Sequence, residues 1–163
     1  MIEFKAPQDT SKVDKSIPTI FLAGSIEEGT AEAWQSKVTQ SLEEDKVILF
    51  NPRRDDWDST WEQKIENLQF LEQVTWELSH IEKSDIIIVY FDKNTKSPIS
   101  LLELGLVSQT DKKIIVFCPD GFFRKGNVDI VCKRYNLTQV DSFEELIKKV
   151  KEYLSSLNNF ELK

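Results

Sequence analysis

The stretch SDIIIVYF, residues 84–91, constrains this chain more than any other. From Ile86 to Phe91 no position is polar, so neither face of such a strand can meet water. A strand apolar on both sides belongs inside a sheet covered above and below, the arrangement of parallel sheets layered between helices. TIFLAG (19–24), KVILF (46–50), KIIVFC (113–118) and a weaker stretch at Thr138–Val140 read as further strands. Amphipathic segments fall between them at 29–44, 61–83 and 97–107, then, after a loop with a short helix, at 142–157. This alternation predicts an α/β fold on a five-stranded parallel sheet with right-handed crossovers. Residues 1–16 carry little pattern and read as a loose N-terminal arm, leaving 17–163 as a single α/β domain, which 163 residues can supply with a proper core.

In parallel sheets of this kind ligands bind outside the carboxyl ends of the strands. Those ends are AGSIEEG, NPRRDDW, FDKNTKSP and CPDGFFRKG. The ligand is not a nucleic acid polymer: 28 acidic against 21 basic residues give a net charge of -7, wrong for a polyanion-coating surface. The polar start gives no sign of a signal peptide, and no apolar run approaches the roughly 20 residues that span a bilayer, so no membrane partner and a cytoplasmic location are expected. Cys118 and Cys132 are too few for a disulfide scaffold and read as free thiols. HExxH, CxxC, histidine clusters and a P-loop are all missing from the sequence, so neither a metal nor an organic cofactor is expected.

The chemistry is announced by two misplaced acids. In SPISLLELGLV (97–107) Ser97 and Pro98 make a helix start, the serine oxygen suited to capping free amides and proline to the first helical position. Glu103 then sits at helical spacing among Ile99, Leu106 and Val107, on a stripe that should be core. On the 61–83 helix the stripe is Phe70, Leu71, Val74, Leu78 and Ile81, and Glu77 falls at its edge, with Gln73 and His80 beside it. Burying a carboxylate without partners is expensive and is tolerated mostly at working sites, although a single such glutamate can also be a snorkelling or ion-paired residue. Paired carboxylates suit glycosidic-bond cleavage, one attacking the anomeric carbon while another assists protonation of the departing group.

IFLAGSIEEG together with WELSHIEKSDIIIVYFDKNTKSPISLLELGL resembles the nucleoside 2-deoxyribosyltransferase family, over roughly residues 18–120. The resemblance implies a flavodoxin-like three-layer fold and makes Glu103 the nucleophile that holds the sugar covalently as the base leaves. Glu77 matches a family aspartate that contacts substrate, one methylene longer here. Where typical transferases carry an aspartate six residues before the nucleophile, near the sugar 5′-hydroxyl, this chain has Ser97. A small hydroxyl at a helix N-terminus, with Ser100 nearby, suits a phosphate, and related nucleoside 5′-monophosphate N-glycosidases look similar there. The aromatic residue of typical transferases near the first strand is replaced by Ile20. Family members assemble so that neighbouring subunits complete the site, which implies a homo-oligomer.

Other residues near the strand ends admit two readings. In NPRRDDWD, Arg53 or Arg54 can hold an anionic group while Asp55, Asp56 or Trp57 shapes a base pocket, or the segment can be a solvated charged loop. Gly24 and Ser25 can bring backbone amides close to a ligand. Gln73 can hydrogen-bond a base or Glu77. His80, the sole histidine, reads first as a helix-surface residue, while Trp34, spaced with Ala31, Val38 and Leu42, and Trp76 read as packing. CPDGFFRKGNVD (118–129) reads as a lid or a subunit contact. The reading is a transferase that passes a sugar from a nucleoside or nucleotide to a free nucleobase. Its alternatives are a hydrolase of (deoxy)nucleoside 5′-monophosphates and a non-catalytic nucleotide sensor.

Overall fold

The computed structural model describes residues 1–26 and 33–160, the side chains through residue 157. Six strands form one sheet: β1 (Ile2–Lys5), β2 (Thr19–Gly24), β3 (Ile48–Asn51), β4 (Ile86–Tyr90), β5 (Lys113–Phe117) and β6 (Thr138–Val140). Their order is β1-β3-β2-β4-β5-β6, and every neighbouring pair is parallel. Without β1 this is the flavodoxin-like order, which reverses direction between β2 and β4 and so opens a crevice at their carboxyl ends. Among the described residues five helices accompany it: α1 (Trp34–Ser41), α2 (Leu68–Lys83), α3 (Pro98–Val107), α4 (Lys125–Tyr135) and α5 (Phe143–Phe160).

Period-two alternation along the strands sorts two cores onto the two faces of the sheet. Phe21, Ile48, Phe50, Ile87, Val89, Ile114 and Val116 meet Trp76 and Ile81 of α2, Leu104 and Val107 of α3, and Val128 and Cys132 of α4. Ile20, Leu22, Leu49, Ile86, Ile88 and Ile115 meet Trp34 and Val38 of α1 with Leu146, Val150 and Leu154 of α5. Trp34 is fully buried and stacks on Tyr90, ring centroids 4.9 Å apart, while its indole N–H donates to the Ser25 carbonyl at 3.0 Å. The helix start read at 29, and Ala31 with it, lie outside the described residues.

Three expectations are corrected. Residues 1–16 are not a loose arm: Ile2–Lys5 pairs in register with Ile48–Asn51, adding a sixth strand at the sheet edge. The short strand lacked a visible period because only one side of it touches core. The second helix begins at Leu68 rather than near 61, because Asn67 caps it, its side-chain oxygen accepting from the Phe70 amide at 3.1 Å. His80 is no surface residue, being only 3 % exposed. Its Nδ1 lies 2.6 Å from the Trp76 carbonyl, which can only accept, so Nδ1 carries the proton and Nε2 accepts from the Thr10 hydroxyl at 2.7 Å. With Trp76 Nε1 donating to the Gln8 carbonyl at 3.0 Å, His80 straps the chain between β1 and β2 onto α2. Both cysteines are buried free thiols, and burial pushes Cys118 up to about 12 and Cys132 to about 11, too high for a reactive thiolate.

Candidate active site

At the carboxyl edge of the sheet lies a cavity of about 640 Å³. Its walls are the end of β2, the loop after β3, one side of α2 and the first turns of α3. It gathers Gly24, Arg53, Arg54, Asp55, Trp57, Gln73, Glu77, Ser97, Ser100 and Glu103; of the residues expected near the site, Ser25 and Asp56 do not line it.

Glu103 is 7 % exposed, and among the described residues none hydrogen-bonds its carboxyl group. Burial, reinforced by the neighbouring Glu77 charge, pushes its pKa up to about 8. Burial raises Glu77 as well, opposed by a hydrogen bond of 2.8 Å from Gln73 Nε2 to Glu77 Oε1. The two glutamates therefore titrate as a coupled pair that retains a proton at neutral pH. Gln73 is 4 % exposed and also donates to the Pro52 carbonyl at 2.8 Å, while among the described residues its own Oε1 has no partner.

These acids are near the core because the helix stripes lie differently from their apolar spacing. The buried face of α2 is Gln73, Trp76, His80 and Ile81. Leu71 and Leu78 of the expected stripe are instead exposed, and Ile81 alone of it is fully buried. On α3 the buried side is Ser100, Glu103, Leu104 and Val107, whereas Ile99 and Leu106 are more than half exposed, at 58 % and 51 %. Leu78, Ile99 and Leu106 of those stripes form the rim of the cavity, together with Leu102.

Ser97 opens α3, with Pro98 in the first turn, but its hydroxyl does not cap the helix. It lies 2.5 Å from Ser25 Oγ and 2.7 Å from Thr95 Oγ1, and Ser25 and Thr95 are themselves 2.9 Å apart. Ser25 Oγ also accepts from the Asp92 amide at 2.9 Å, so this buried cluster ties the ends of β2 and β4 to the start of α3. Thr95 was not legible as part of it, because nothing in its spacing marks a contact 70 residues from Ser25. The expectation that Ser25 offers its amide to a ligand is corrected: that N–H bonds the Tyr90 carbonyl at 2.9 Å. Gly24 borders the cavity at φ +153°, and a Cβ there would lie 2.4 Å from the Tyr90 carbonyl oxygen.

The arginine pair divides. Arg54 is bound to Asp56 at 2.6 Å and Glu72 at 3.0 Å and lies over the Trp61 ring at 5.0 Å. Trp61 in turn meets Trp57 edge-on at 5.2 Å, so Arg54 builds the loop. Asp55 pairs with Lys5 at 2.9 Å. Arg53 is exposed on the cavity wall, and among the described residues no carboxylate pairs with it. Arg54→Ala is expected to lower stability by about 1 kcal/mol, whereas Arg53→Ala leaves the melting temperature unchanged; paired thermal melts check this.

Among curated proteins none matches this chain. A solved structure, a conserved protein from Enterococcus faecalis V583, shares the fold at a TM-score of 0.62 and 13 % identity, covering 84 % of this chain and 99 % of that one. The family model described as nucleoside 2-deoxyribosyltransferase like matches residues 17–122, the span that carries both glutamates, the arginine pair and the hydroxyl cluster, and the chain belongs to that family.

Proposed function

We propose that this protein cleaves the N-glycosidic bond of a nucleoside or nucleotide through a glycosyl ester on Glu103 and passes the sugar to another base. The observation that carries the reading is the pair of buried Glu103 and half-buried Glu77, open to a cavity of nucleoside size and holding a proton at neutral pH. The proton moves from Glu103 to Glu77, and the freed Glu103 carboxylate attacks C1′. The C1′–N bond breaks, and Glu77 gives its proton to the departing base. In the second half the glycosyl ester is attacked at C1′ by a second base, whose proton returns to Glu77. Trp57 and Phe70 offer apolar faces to the base, and Gly24 and Ser100 border the sugar. The exposed rim of Leu78, Ile99, Leu102 and Leu106 supports a homo-oligomer in which a second copy covers the cavity mouth.

A second reading is favoured by Arg53 and Ser97. With a cation on the wall that no described carboxylate pairs, and a hydroxyl where a carboxylate would repel phosphate, water can replace the acceptor base and the substrate is a 5′-monophosphate. The two are separated by incubating the protein with each deoxynucleoside and each nucleoside 5′-monophosphate, with and without acceptor base, beside Glu103→Ala. New nucleosides formed only with acceptor mark the transferase. Free base released from monophosphates regardless of acceptor marks the hydrolase, and silence throughout marks a nucleotide sensor.

Ser97→Asp offers a further check. Position 97 has φ +45°, a backbone conformation that aspartate tolerates. If phosphate sits at this helix start, the variant is expected to lose monophosphate use by about ten-fold or more relative to nucleoside use. An unchanged ratio of the two kcat/KM values removes phosphate from this position.

A further inference from the structure

Gln73 is where the chemistry of this pair is decided. The Pro52 carbonyl is an obligate acceptor, so the amide orientation is fixed: the atom 2.8 Å from it must be the nitrogen. The second amide proton then goes to Glu77 Oε1, also at 2.8 Å. Both donors are committed, and Gln73 Oε1 is left buried and, among the described residues, without a partner. A glutamine retained for packing would satisfy its carbonyl; this one forgoes it to hold both donor contacts.

We propose that Gln73 is a positioning residue: by donating to Glu77 Oε1 it reserves that oxygen as an acceptor, so that the proton passed between the glutamates and the leaving base travels on Glu77 Oε2 alone. The inference rests on the glycosidic reading above. A carboxyl oxygen that accepts from an amide N–H at this distance cannot point its own proton along the same line. Among the described residues none bonds Oε2, which stays available in both directions of transfer. Pro52, the residue directly after β3, supplies the anchor through its backbone carbonyl. The proton count balances. One proton leaves Glu103, resides on Oε2 and departs with the base, and the second half-reaction returns one to Oε2 from the incoming base or water. The charged groups lining the same cavity are Arg53, Arg54, Asp55, Glu77 and Glu103, from the loop after β3, α2 and α3.

The test uses the intact protein. Carboxyl-carbon NMR follows the titration of Glu77 and Glu103 in the parent and in Gln73→Leu and Gln73→Met, neither of which can donate. Loss of a hydrogen bond to an ionised carboxylate is expected to raise the Glu77 midpoint by roughly one pH unit or more. On the favoured substrate, kcat falls about ten-fold or more with KM held within about two-fold, and the pH–rate profile moves with the Glu77 midpoint. In the parent alone, the side-chain amide resonance of Gln73 shifts with the Glu77 titration, a measurement needing no variant. A Glu77 midpoint unmoved in a folded variant, or an amide signal indifferent to it, overturns the proposal. A parent that cleaves no nucleoside or nucleotide overturns the functional reading instead, and the NMR titration still decides whether Gln73 holds Glu77.

Discussion

Glu103→Gln is expected to abolish sugar capture, by on the order of 10⁴-fold or more in turnover, while making the protein more stable at alkaline pH. The amide keeps the shape of the side chain but cannot attack C1′. The stability gain follows from the raised pKa. The folded protein holds the Glu103 proton up to about pH 8, whereas the carboxyl ordinarily releases it at 4.5. Between those values the folded state binds a proton that the unfolded chain lacks, so stability is full below 4.5 and declines as pH rises toward 8, at roughly 1.4 kcal/mol per unit at most. Glu77, also raised, adds to the decline. His80, lowered by burial, acts oppositely, costing stability as pH falls below its ordinary 6.5. The measurement is therefore variant against parent by calorimetry at pH 5 and pH 9. The melting temperatures converge at pH 5, and at pH 9 the variant exceeds the parent by several degrees. An unchanged difference between the two pH values means that Glu103 is ionised throughout.

Gly24→Ala is expected to be the most damaging single methyl in the molecule. A Cβ there would meet the Tyr90 carbonyl oxygen at 2.4 Å, the Trp34 ring at 2.7 Å and the Tyr90 nitrogen at 3.0 Å. Two of these atoms belong to the central strand of the sheet and cannot swing aside, and the third belongs to a ring wedged against Tyr90. The backbone at φ +153° adds its own penalty for any L side chain. Overpacking and strain together are expected to cost about 3 kcal/mol or more, a drop of roughly 6–12 °C in Tm. A variant that melts within a degree of the parent would mean that β2 and β4 separate more easily at the crevice than their pairing indicates.

The architecture was legible wherever apolar period and burial coincide. Ile86–Phe91 predicts a covered parallel strand, and the structure buries all six of those side chains. The helix faces were legible only in part, because hydrophobicity alone cannot separate a core stripe from the lining of a cavity. Leu78, Ile99 and Leu106 have the spacing of core residues yet border open space, while Gln73 and His80, polar by type, lie against the sheet through hydrogen bonds to Pro52, Trp76 and Thr10. Glu103 stood out because a lone acid in an apolar helix has no local excuse. The division of labour between Arg53 and Arg54 could not be read, since it depends on Glu72 arriving from α2 and on how the loop folds Trp61 back over Arg54. The same holds for Ser97, whose hydroxyl answers to Ser25 rather than to its own helix.

The strand order has a consequence for how the chain is born. β1 and β2 are both made before β3, which pairs with each of them, with Ile2 opposite Ile48 and Ile20 opposite Leu49, and β2 keeps its other edge for β4, with Ile20 opposite Ile86. Three strands, β1, β3 and β2, can therefore pair before β4 is made, but the β2 edge at the crevice stays open until Ile86–Tyr90 arrives. Slow codons or a stall between Asn51 and Ile86 would leave that apolar β2 edge exposed to strands of other chains.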